Sequence, residues 1–371
     1  MAEALIDAGH QVDLFCLQWE GEAATEVING VNVYRLPETR HQGAGALTYI
    51  RAYVRFFCMA FARVWRSHRR NRYDLVQVHN PLDALVFATI PLKLGGLPVV
   101  LDLRELSPEL FLSRFHISRR SAVVRALTIL ERWSCAYSDA IIVLHDRHRR
   151  IMAGRGIPEA KMVQVMNCPD DRLFVADPRG HQRPTDGRFV VLCHGSIMDR
   201  WGVDLLVEAV ARVRDRIPGL QLELYGDGDA APQARALPER LGVSDIVRFH
   251  GQQPLERIPQ AIRDADVGVA PVRQDVFTDC GLPTKLLEYV AMGLPAVASG
   301  IATTTDYFDD SRVLIFQPGQ VDDLAEKLLA VYRDPAAARA RAAAAMQFSA
   351  EHNWPGERAA YLSLVDRLCG V

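Results

Sequence analysis

The 371-residue chain predicts an α/β protein of two doubly wound, Rossmann-like domains with an interdomain cleft, and three observations predict it. First, the length exceeds what one ordinary hydrophobic core organises, so two domains are expected. Second, apolar runs of strand length alternate with helix-length segments almost throughout. "QVDLFCL", "VNVYRL", "DLVQVH", "PVVLDL", "AIIVLH" and "MVQVMN" punctuate the first half, and "FVVLCHG", "LQLELYG", "IVRFHG", "DVGVAPV", "PAVAS" and "VLIFQ" the second. Near-continuous apolar strands separated by helices are the pattern of parallel sheets covered on both faces. Third, "ADPRGHQRPTDGR" (Ala176–Arg188) is rich in Pro, Gly and charge, as linkers are.

These readings divide the chain into a first domain over 1–175, a linker over 176–188 and a second domain over 189–345. A C-terminal helix over 346–371 is expected to pack back on the first domain, with Pro355 beginning or kinking it. The composition, 49% hydrophobic and 24% charged, is that of a soluble globular enzyme. Net charge divides unevenly, Met1–Asp170 carrying +4 and the remainder −6. The seven cysteines (Cys16, Cys58, Cys135, Cys168, Cys193, Cys280, Cys369) form no CxxC and no metal spacing, so reduced thiols in a cytoplasmic protein are expected. The best membrane candidate, "LVFATIPLKLGGLPVVL", is broken by Pro91, Lys93 and Gly95–Gly96 before it reaches the roughly 20 apolar residues a span needs. "MAEALIDAGH" lacks the apolar core of a signal peptide.

The most informative stretch is "GLPTKLLEYVAMGLPAVAS" (Gly281–Ser299). Pro283 suits a first helical residue and Gly293 a stop, with "PAVAS" as a buried strand beyond. Leu286, Leu287, Val290 and Ala291 recur at helical spacing and give the core face. Lys285 then falls in the first turn, where the helix dipole disfavours a cation. An anion docked there would explain it, met by exposed N–H groups and an ammonium together, with Glu288 one turn on facing a neutral hydroxyl group such as a ribose. The alternative is a surface pair, Lys285 with Glu288 or with Asp279. "GDGDAA" (Gly226–Ala231) matches a dinucleotide fingerprint, but the next strand, "IVRFH", ends on His250 rather than an acid, so a tight strand-to-helix turn explains the glycines.

This segment resembles the donor site of retaining, GT-B-fold glycosyltransferases of glycosyltransferase family 4, and the likeness runs along nearly the whole chain. "MAEALIDAGHQVDLFCL", "DLVQVHNPLDALVFA", "SDAIIVLHDRHRRIMAGRGIP", "VQVMNCPDD", "VLCHGSIMDRWGVDLLVEAV", "YGDGD", "VRFHGQQP" and "DADVGVAPVRQD" follow in the family's order. The resemblance implies a nucleotide-diphosphate sugar as donor, UDP- or GDP-linked, and no cofactor or metal. It implies that Glu288 binds ribose hydroxyls and that Gly195, Ser196 and Arg200 of "HGSIMDRWGVD" meet the diphosphate. Arg273, Cys280, Gly281, Leu286 and Leu287 fall in the donor-binding segments. Arg200, Lys285 and the helix N-terminus would then stabilise charge on the leaving oxygen as preorganised electrostatics. On the acceptor or sugar side stand His79 and Asn80 in "VHNP" and Arg104 and Glu105 in "VVLDLRELSPEL".

The chain departs from the family's pattern at several places. Ser196 stands where arginine is usual and Trp201 where lysine is usual, and Cys280 where glutamate is frequent. Arg104-Glu105 replaces a common His-Asp, and the family's first strand and glycine-rich loop are expected upstream of Met1, as though the coding start lay earlier.

"YIRAYVRFFCMAFARVWRSHRR" (Tyr49–Arg70) has Ile50, Val54, Phe57, Phe61, Val64 and Trp65 on one stripe and Arg51, Arg55, Arg63, Arg66, Arg69 and Arg70 on the other. A core stripe with a solvated basic back accounts for this. Phe56 and Met59 among the arginines suit anionic lipid headgroups instead, and Arg114, Arg119, Arg120 and Arg125 add to the same half. A glycan or lipid-linked sugar at the inner membrane face is the acceptor these residues suggest. No nucleic-acid module accompanies the charge. Two rivals remain at this stage: a GT-B epimerase or hydrolase acting on sugar nucleotides, and a non-catalytic subunit that binds a nucleotide sugar or a partner glycosyltransferase.

Overall fold

A computed structural model describes residues 1–19, 21–37, 46–80, 83–115, 117–177 and 186–370, with the side chains of 46–50 also outside the description. The chain folds as two compact units, Met1–Met166 with Glu357–Val371, and Asn167–Gly356. The division falls at Asn167 rather than within Ala176–Arg188, most of which lies outside the described residues. The C-terminal region also divides differently from the expected 346–371 helix. One helix, Pro335–Glu351, stays with the second unit, and the next, Trp354–Cys369, joins the first from Glu357 onward. Asp334 caps the former by accepting from Ala337 N–H (2.9 Å), and Pro355 opens the latter.

The first unit holds strands β1 (Asp13–Leu17), β2 (Thr25–Ile28), β3 (Val31–Leu36), β4 (Val76–His79), β5 (Val99–Leu103), β6 (Ala140–Val143) and β7 (Met162–Gln164). Its helices are α1 (Ala2–Asp7), α2 (Ala46–Asn71), α3 (Ile90–Leu94), α4 (Ser107–Phe115), α5 (Ala122–Tyr137) and α6 (Asp146–Gly154). The strands form two sheets, β1-β3-β2 and the parallel β4-β5-β6-β7, rather than the single parallel sheet expected. Strand β2 pairs antiparallel with β3 through Asn29-Gly30, both at positive φ (50° and 83°). Asn-Gly between two strand-like runs is the strongest short hairpin signal, and "EVINGVNV" carries it. Strands β5 and β6 are buried along their whole length, as a central parallel sheet requires.

Helix α2 sits less deeply than its apolar stripe suggests. Val54 is 58% exposed, Phe57, Phe61, Val64 and Trp65 are half-buried, and Ala60 is its fully buried residue among those described. Phe56 and Met59 are half-buried too, whereas all six arginines of the opposite face are exposed. Arg63 lies over the Tyr34 ring and Arg69 over its own helix's Trp65 (4.9 and 3.9 Å).

The second unit contains β8 (Phe189–His194), β9 (Leu220–Tyr225), β10 (Val247–Gly251), β11 (Val267–Ala270), β12 (Ala296–Ser299) and β13 (Leu314–Phe316). These are the six strands read from the sequence, all parallel, in the order β10-β9-β8-β11-β12-β13. Counting from β8, that is the doubly wound order 3-2-1-4-5-6, whose reversal point lies between β8 and β11. Helices α7 (Val203–Val213), α8 (Ala231–Leu241), α9 (Ile258–Arg263), α10 (Thr284–Ala291), α11 (Ala302–Tyr307), α12 (Val321–Arg333), α13 (Pro335–Glu351) and α14 (Trp354–Cys369) complete the chain.

Helix α10 is set against the sheet by one aromatic ring. Tyr289 is fully buried, donates to the Leu192 carbonyl (3.4 Å) and lies over Gly268 of β11, where a Cβ would stand 2.5 Å from the ring. Only glycine leaves room for that approach. Pro283 is the N-cap rather than the first helical residue, and Gly293 (φ 69°) follows the C-cap Met292.

Beneath the β4–β5 edge of the first unit runs a buried charge network. Arg155 Nη1 donates to both oxygens of Glu131 (2.6 and 2.7 Å) and its Nη2 to Glu109 (2.5 Å). Glu131 is wholly inaccessible, and burial, against the opposing pull of Arg155, pushes its carboxyl up to about 7, with Asp83 and Glu109 adding to the rise. A carboxyl raised on folding stabilises fully below its unfolded value and loses that contribution as pH rises through the folded one. Arg155→Ala should therefore lower unfolding free energy by about 3–5 kcal/mol at pH 7.5. The deficit should shrink toward pH 5, where the stranded carboxyls take up protons. Urea unfolding at the two pH values measures both effects.

Candidate functional site

In the second unit the ends of β8 and β9 are locked together by backbone contact. Gly195 N–H donates to the Tyr225 carbonyl (2.9 Å) and Ile197 N–H to the Asp227 carbonyl (2.9 Å). Gly226 (φ 136°) and Gly228 (φ 156°) make this possible. A Cβ on Gly226 would stand 1.9 Å from Gly195 O, and one on Gly228 2.5 Å from Ile197 O. The glycines of "YGDGD" thus serve a tight crossing of two loops.

Gly195 itself has φ 107° and is exposed beside Ser196, and a Cβ on it would sit 3.6 Å from Lys285 Nζ. The ammonium reaches from the first turn of α10 to the end of β8, at the reversal point of the sheet. Lys285 is only 8% exposed, and its Nζ lies 3.7 Å from Cys193 Sγ. Among the described residues no carboxylate pairs with it. The two surface pairs that the sequence also allows are both absent. Asp279 instead accepts from Ala302 N–H at the start of α11 (2.9 Å) and from Gln274 (3.2 Å). Glu288 turns to His194, its Oε2 lying 3.0 Å from Nε2 without hydrogen-bond alignment. His194 in turn stands edge-on to Tyr289 (5.2 Å). A buried cation without a counter-charge is costly unless an anion completes the site.

Glu288 also borders a cavity of about 240 Å³, lined with Thr284 and Leu287 by Asn167, Asp170, Phe174 and Leu255. The other donor-side residues read from the sequence take several different places. Leu286 is wholly buried, and its N–H is taken by the Pro283 carbonyl (3.0 Å), so it presents nothing to a ligand. Leu287 contributes its side chain to the cavity wall, its N–H also pointing at Pro283 O (3.4 Å). The Cys280 thiol is buried and faces the Val276 carbonyl (3.2 Å) inside its own turn. Arg273 is no spare cation. It grips Asp204 with two nitrogens (2.8 and 2.6 Å) and the Asp199 carbonyl (2.7 Å), clamping the 199–204 turn. Arg200 projects from that turn over the Phe277 ring (5.1 Å), and its carbonyl accepts from Arg273 N–H (2.9 Å). Gly281 offers open space, nothing lying within 4 Å of a Cβ there, while its carbonyl accepts from Thr303 (2.9 Å).

The first unit gathers its predicted residues around one aspartate. Asp102 of β5 is wholly buried and receives His79 Nδ1 at 2.9 Å, Gln77 Nε2 at 3.2 Å and Arg104 Nη2 at 3.0 Å. Arg104 Nε lies 2.8 Å from its other oxygen, out of line for a hydrogen bond. Burial raises the Asp102 carboxyl, but His79 and Arg104 outweigh it and hold it below the ordinary range. Tyr361 of α14 donates to Gln77 Oε1 (2.8 Å), tying the last helix to this cluster. Asn80 brackets the two strand ends. Its Oδ1 accepts from Arg104 N–H (2.9 Å) and Glu105 N–H (3.2 Å), and its Nδ2 donates to the Glu105 carbonyl and to Asp83 (3.1 Å). Its amide holds the loop, while the half-exposed His79 remains at the surface of the strand ends.

Sequence reasoning missed Asp102, Asp204 and His194. Two of them carried a signal: His194 sits in the quoted "FVVLCHG", and Asp102 is an acid inside an otherwise apolar parallel strand, which is tolerated only when partnered.

Two α/β units, each with a parallel sheet and the second in the doubly wound order 3-2-1-4-5-6, make the GT-B fold of glycosyltransferases. The chain belongs to the group 1, glycosyltransferase 4-like family of these enzymes: residues 1–168 match the family described as "Glycosyl transferase 4-like domain" and 188–334 that described as "Glycosyl transferases group 1". It is 25% identical over 371 aligned residues to a D-inositol 3-phosphate glycosyltransferase of Kribbella flavida, covering 95% of this chain and 85% of that one. A GDP-mannose-dependent alpha-(1-6)-phosphatidylinositol monomannoside mannosyltransferase of Mycolicibacterium smegmatis is 30% identical over 210 residues, 53% of each chain. Its fold is also that of the sucrose-phosphate synthase of Thermosynechococcus elongatus, with a TM-score of 0.78 over 99% of this chain and 91% of that one at 20% identity.

Because Asp102 is depressed on folding, its contribution is present at neutral pH and lost as pH falls through its folded value. Asp102→Asn should cost about 1–3 kcal/mol of stability at pH 7. The difference from the parent chain should close below pH 4, as followed by urea unfolding.

Proposed function

We propose that the protein transfers a sugar, with retention and without a metal ion, from a UDP- or GDP-linked donor to a glycan or lipid-linked acceptor in cell-surface polysaccharide or glycolipid synthesis. The observation that carries this reading is Lys285, a buried ammonium with no carboxylate partner among the described residues, beneath the exposed backbone of Gly195. A diphosphate at that corner would meet Lys285, Arg200 and the first N–H groups of α10, while Glu288 accepts from ribose hydroxyls. As the bond from the anomeric carbon to the phosphate oxygen breaks, these groups stabilise the negative charge that develops on that oxygen. The acceptor hydroxyl attacks the face the phosphate leaves. The departing phosphate oxygen takes the acceptor's proton, so no side chain need act as base.

The acceptor side is assigned to His79, with Asp102 fixing its tautomer, and to Arg104, with Asn80 and the Glu105 backbone holding the loop. The Mycolicibacterium smegmatis relative, a phosphatidylinositol monomannoside mannosyltransferase, supports a lipid-linked acceptor. The exposed arginines of α2 support contact with the inner face of the cell membrane, from the cytoplasm.

Lys285→Met should lower kcat about 100- to 1,000-fold with no loss of thermal midpoint, since an apolar chain of similar length replaces an uncompensated buried charge. Glu288→Ala should weaken nucleotide binding. Both are read with a panel of UDP- and GDP-sugars, by thermal shift and by release of nucleoside diphosphate. Transfer should survive EDTA, and NMR of the product should show the donor's anomeric configuration. Unchanged nucleotide binding in both variants, or an inverted product, would overturn the proposal.

A further inference from the structure

Helix α5 is apolar on the side that faces solvent. Its inward face buries Val124, Glu131, Ser134 and Cys135. The opposite face exposes Ala122, Ala126, Ile129, Trp133 and Ala136, with Val123 at its edge. Trp133 is 64% exposed, Val123 52% and Ile129 47%. At 100° per residue, Ala122, Ala126, Ile129, Trp133 and Ala136 fall within one quadrant. Arg125 and Arg132 flank that quadrant, and Arg119 and Arg120 are exposed just before the helix. The helix's one acid, Glu131, is turned inward to Arg155. A solvated helix face ordinarily mixes charges of both signs, and this one carries arginine alone.

Exposed apolar side chains also stand on two other helices of this unit. The turn Asp83–Thr89 packs against both α2 and α5 and leads directly into α3. Leu94 of α3 is 84% exposed, and Ile90 of α3 and Val54 of α2 also face outward. Of the large exposed hydrophobic residues among those described, nearly half therefore lie on three helices that adjoin one turn. Scattered singly such residues would mean little, but on α5 Ile129 and Trp133 share one quadrant with three exposed alanines, and a face of that kind marks a surface that something covers.

We propose that this α5-centred face is a second lipid-contacting surface of the protein, lying on an anionic bilayer with Trp133 and Ile129 in the headgroup boundary and the arginines reaching phosphate. Charge selects the occupant. A second copy would bring arginine against arginine, whereas anionic headgroups complement them. An indole with one apolar body and one N–H suits the headgroup zone, and arginine stems cover apolar surface while their guanidinium ends stay wet. No described helix is long and apolar enough to cross a membrane, so contact is by lying on the surface. The proposal rests on the lipid-linked-acceptor reading for its purpose. It goes beyond the α2 arginines by making burial of apolar side chains on α5 the anchoring contribution.

The experiment is flotation of the full chain with phosphatidylcholine vesicles, with and without phosphatidylglycerol, in low and moderate salt. Trp133→Gln and the pair Ile129→Glu/Trp133→Glu are compared with Arg66→Glu/Arg70→Glu on α2, all checked for an unchanged circular dichroism melt. The expected result is binding only to phosphatidylglycerol vesicles. It should fall about ten-fold or more in the α5 pair and less in Trp133→Gln, with transfer to a water-soluble acceptor unchanged. Three results would overturn the proposal: full binding by the α5 pair, no binding by the parent chain, or a parent dimer in sedimentation that the α5 pair abolishes. Loss of binding in the α2 pair alone would sink it while leaving the α2 contact standing. Failure of sugar transfer with vesicle binding intact would instead count against the proposed function.

Discussion

A single ammonium organises the second unit. Lys285 can lie buried beside Cys193 only because α10 is pressed close to the sheet, and α10 is close because Tyr289 fills the space that Gly268 leaves open. No carboxylate among the described residues pairs with this charge, so the folded chain carries a desolvation cost at this corner. In a structural role such a lysine would be a defect. On the proposed function, its place at the reversal point of a doubly wound sheet, beside the exposed backbone of Gly195, is where an anion would offset that cost. Glu288, one turn further along the same helix, turns its carboxylate toward His194 and borders the cavity, so one short helix carries the two charges to which the proposed function gives different tasks.

The first unit is organised differently. Its acceptor-side residues hang from carboxylates at several depths. Asp102, deepest in β5, orients His79 and Arg104, and Asn80 ties their two loops into one rim. Asp83, which accepts from Asn80 of that rim, lies close enough to Arg155 and Glu131 of the buried network to feel their charge. Burial pushes Asp83 up to about 6 and Glu131 to about 7, so these groups titrate closer to neutrality than exposed carboxylates do.

The second unit is legible in the sequence because its information is local. Six apolar runs, bounded by Gly and Pro, map one to one onto β8–β13, and the Pro283 and Gly293 punctuation bounds α10 to within a residue or two. What cannot be read there depends on long-range partners. Arg273 looks like a free cation because Asp204, far behind it in the chain, is invisible as its partner until the fold brings the two together. Cys280 and Leu286 fall within the right motif but face inward, a matter of one side chain's direction. In the first unit, periodicity places α2 on the core more deeply than the structure does. An apolar stripe records that burial is favourable, not how much surface the neighbours have left to cover it. The antiparallel β2 escapes a reading by apolar runs although its Asn-Gly turn is in plain view, since the strand is exposed along its length and offers no such run.

The crossing of the β8 and β9 ends has a consequence for how such a chain can diversify. With carbonyl oxygens packed where Gly226 and Gly228 would bear side chains, neither loop can be enlarged, tilted or decorated without displacing the other. The corner that would grip a diphosphate is therefore frozen, tolerant of no tinkering. Opposite it, the Asn167–Phe174 stretch and Leu255 wall the cavity beside Glu288 from outside that crossing. On the proposed donor site, drift toward new donors would accordingly be written in that wall, while the handle on the phosphates would remain a fixture.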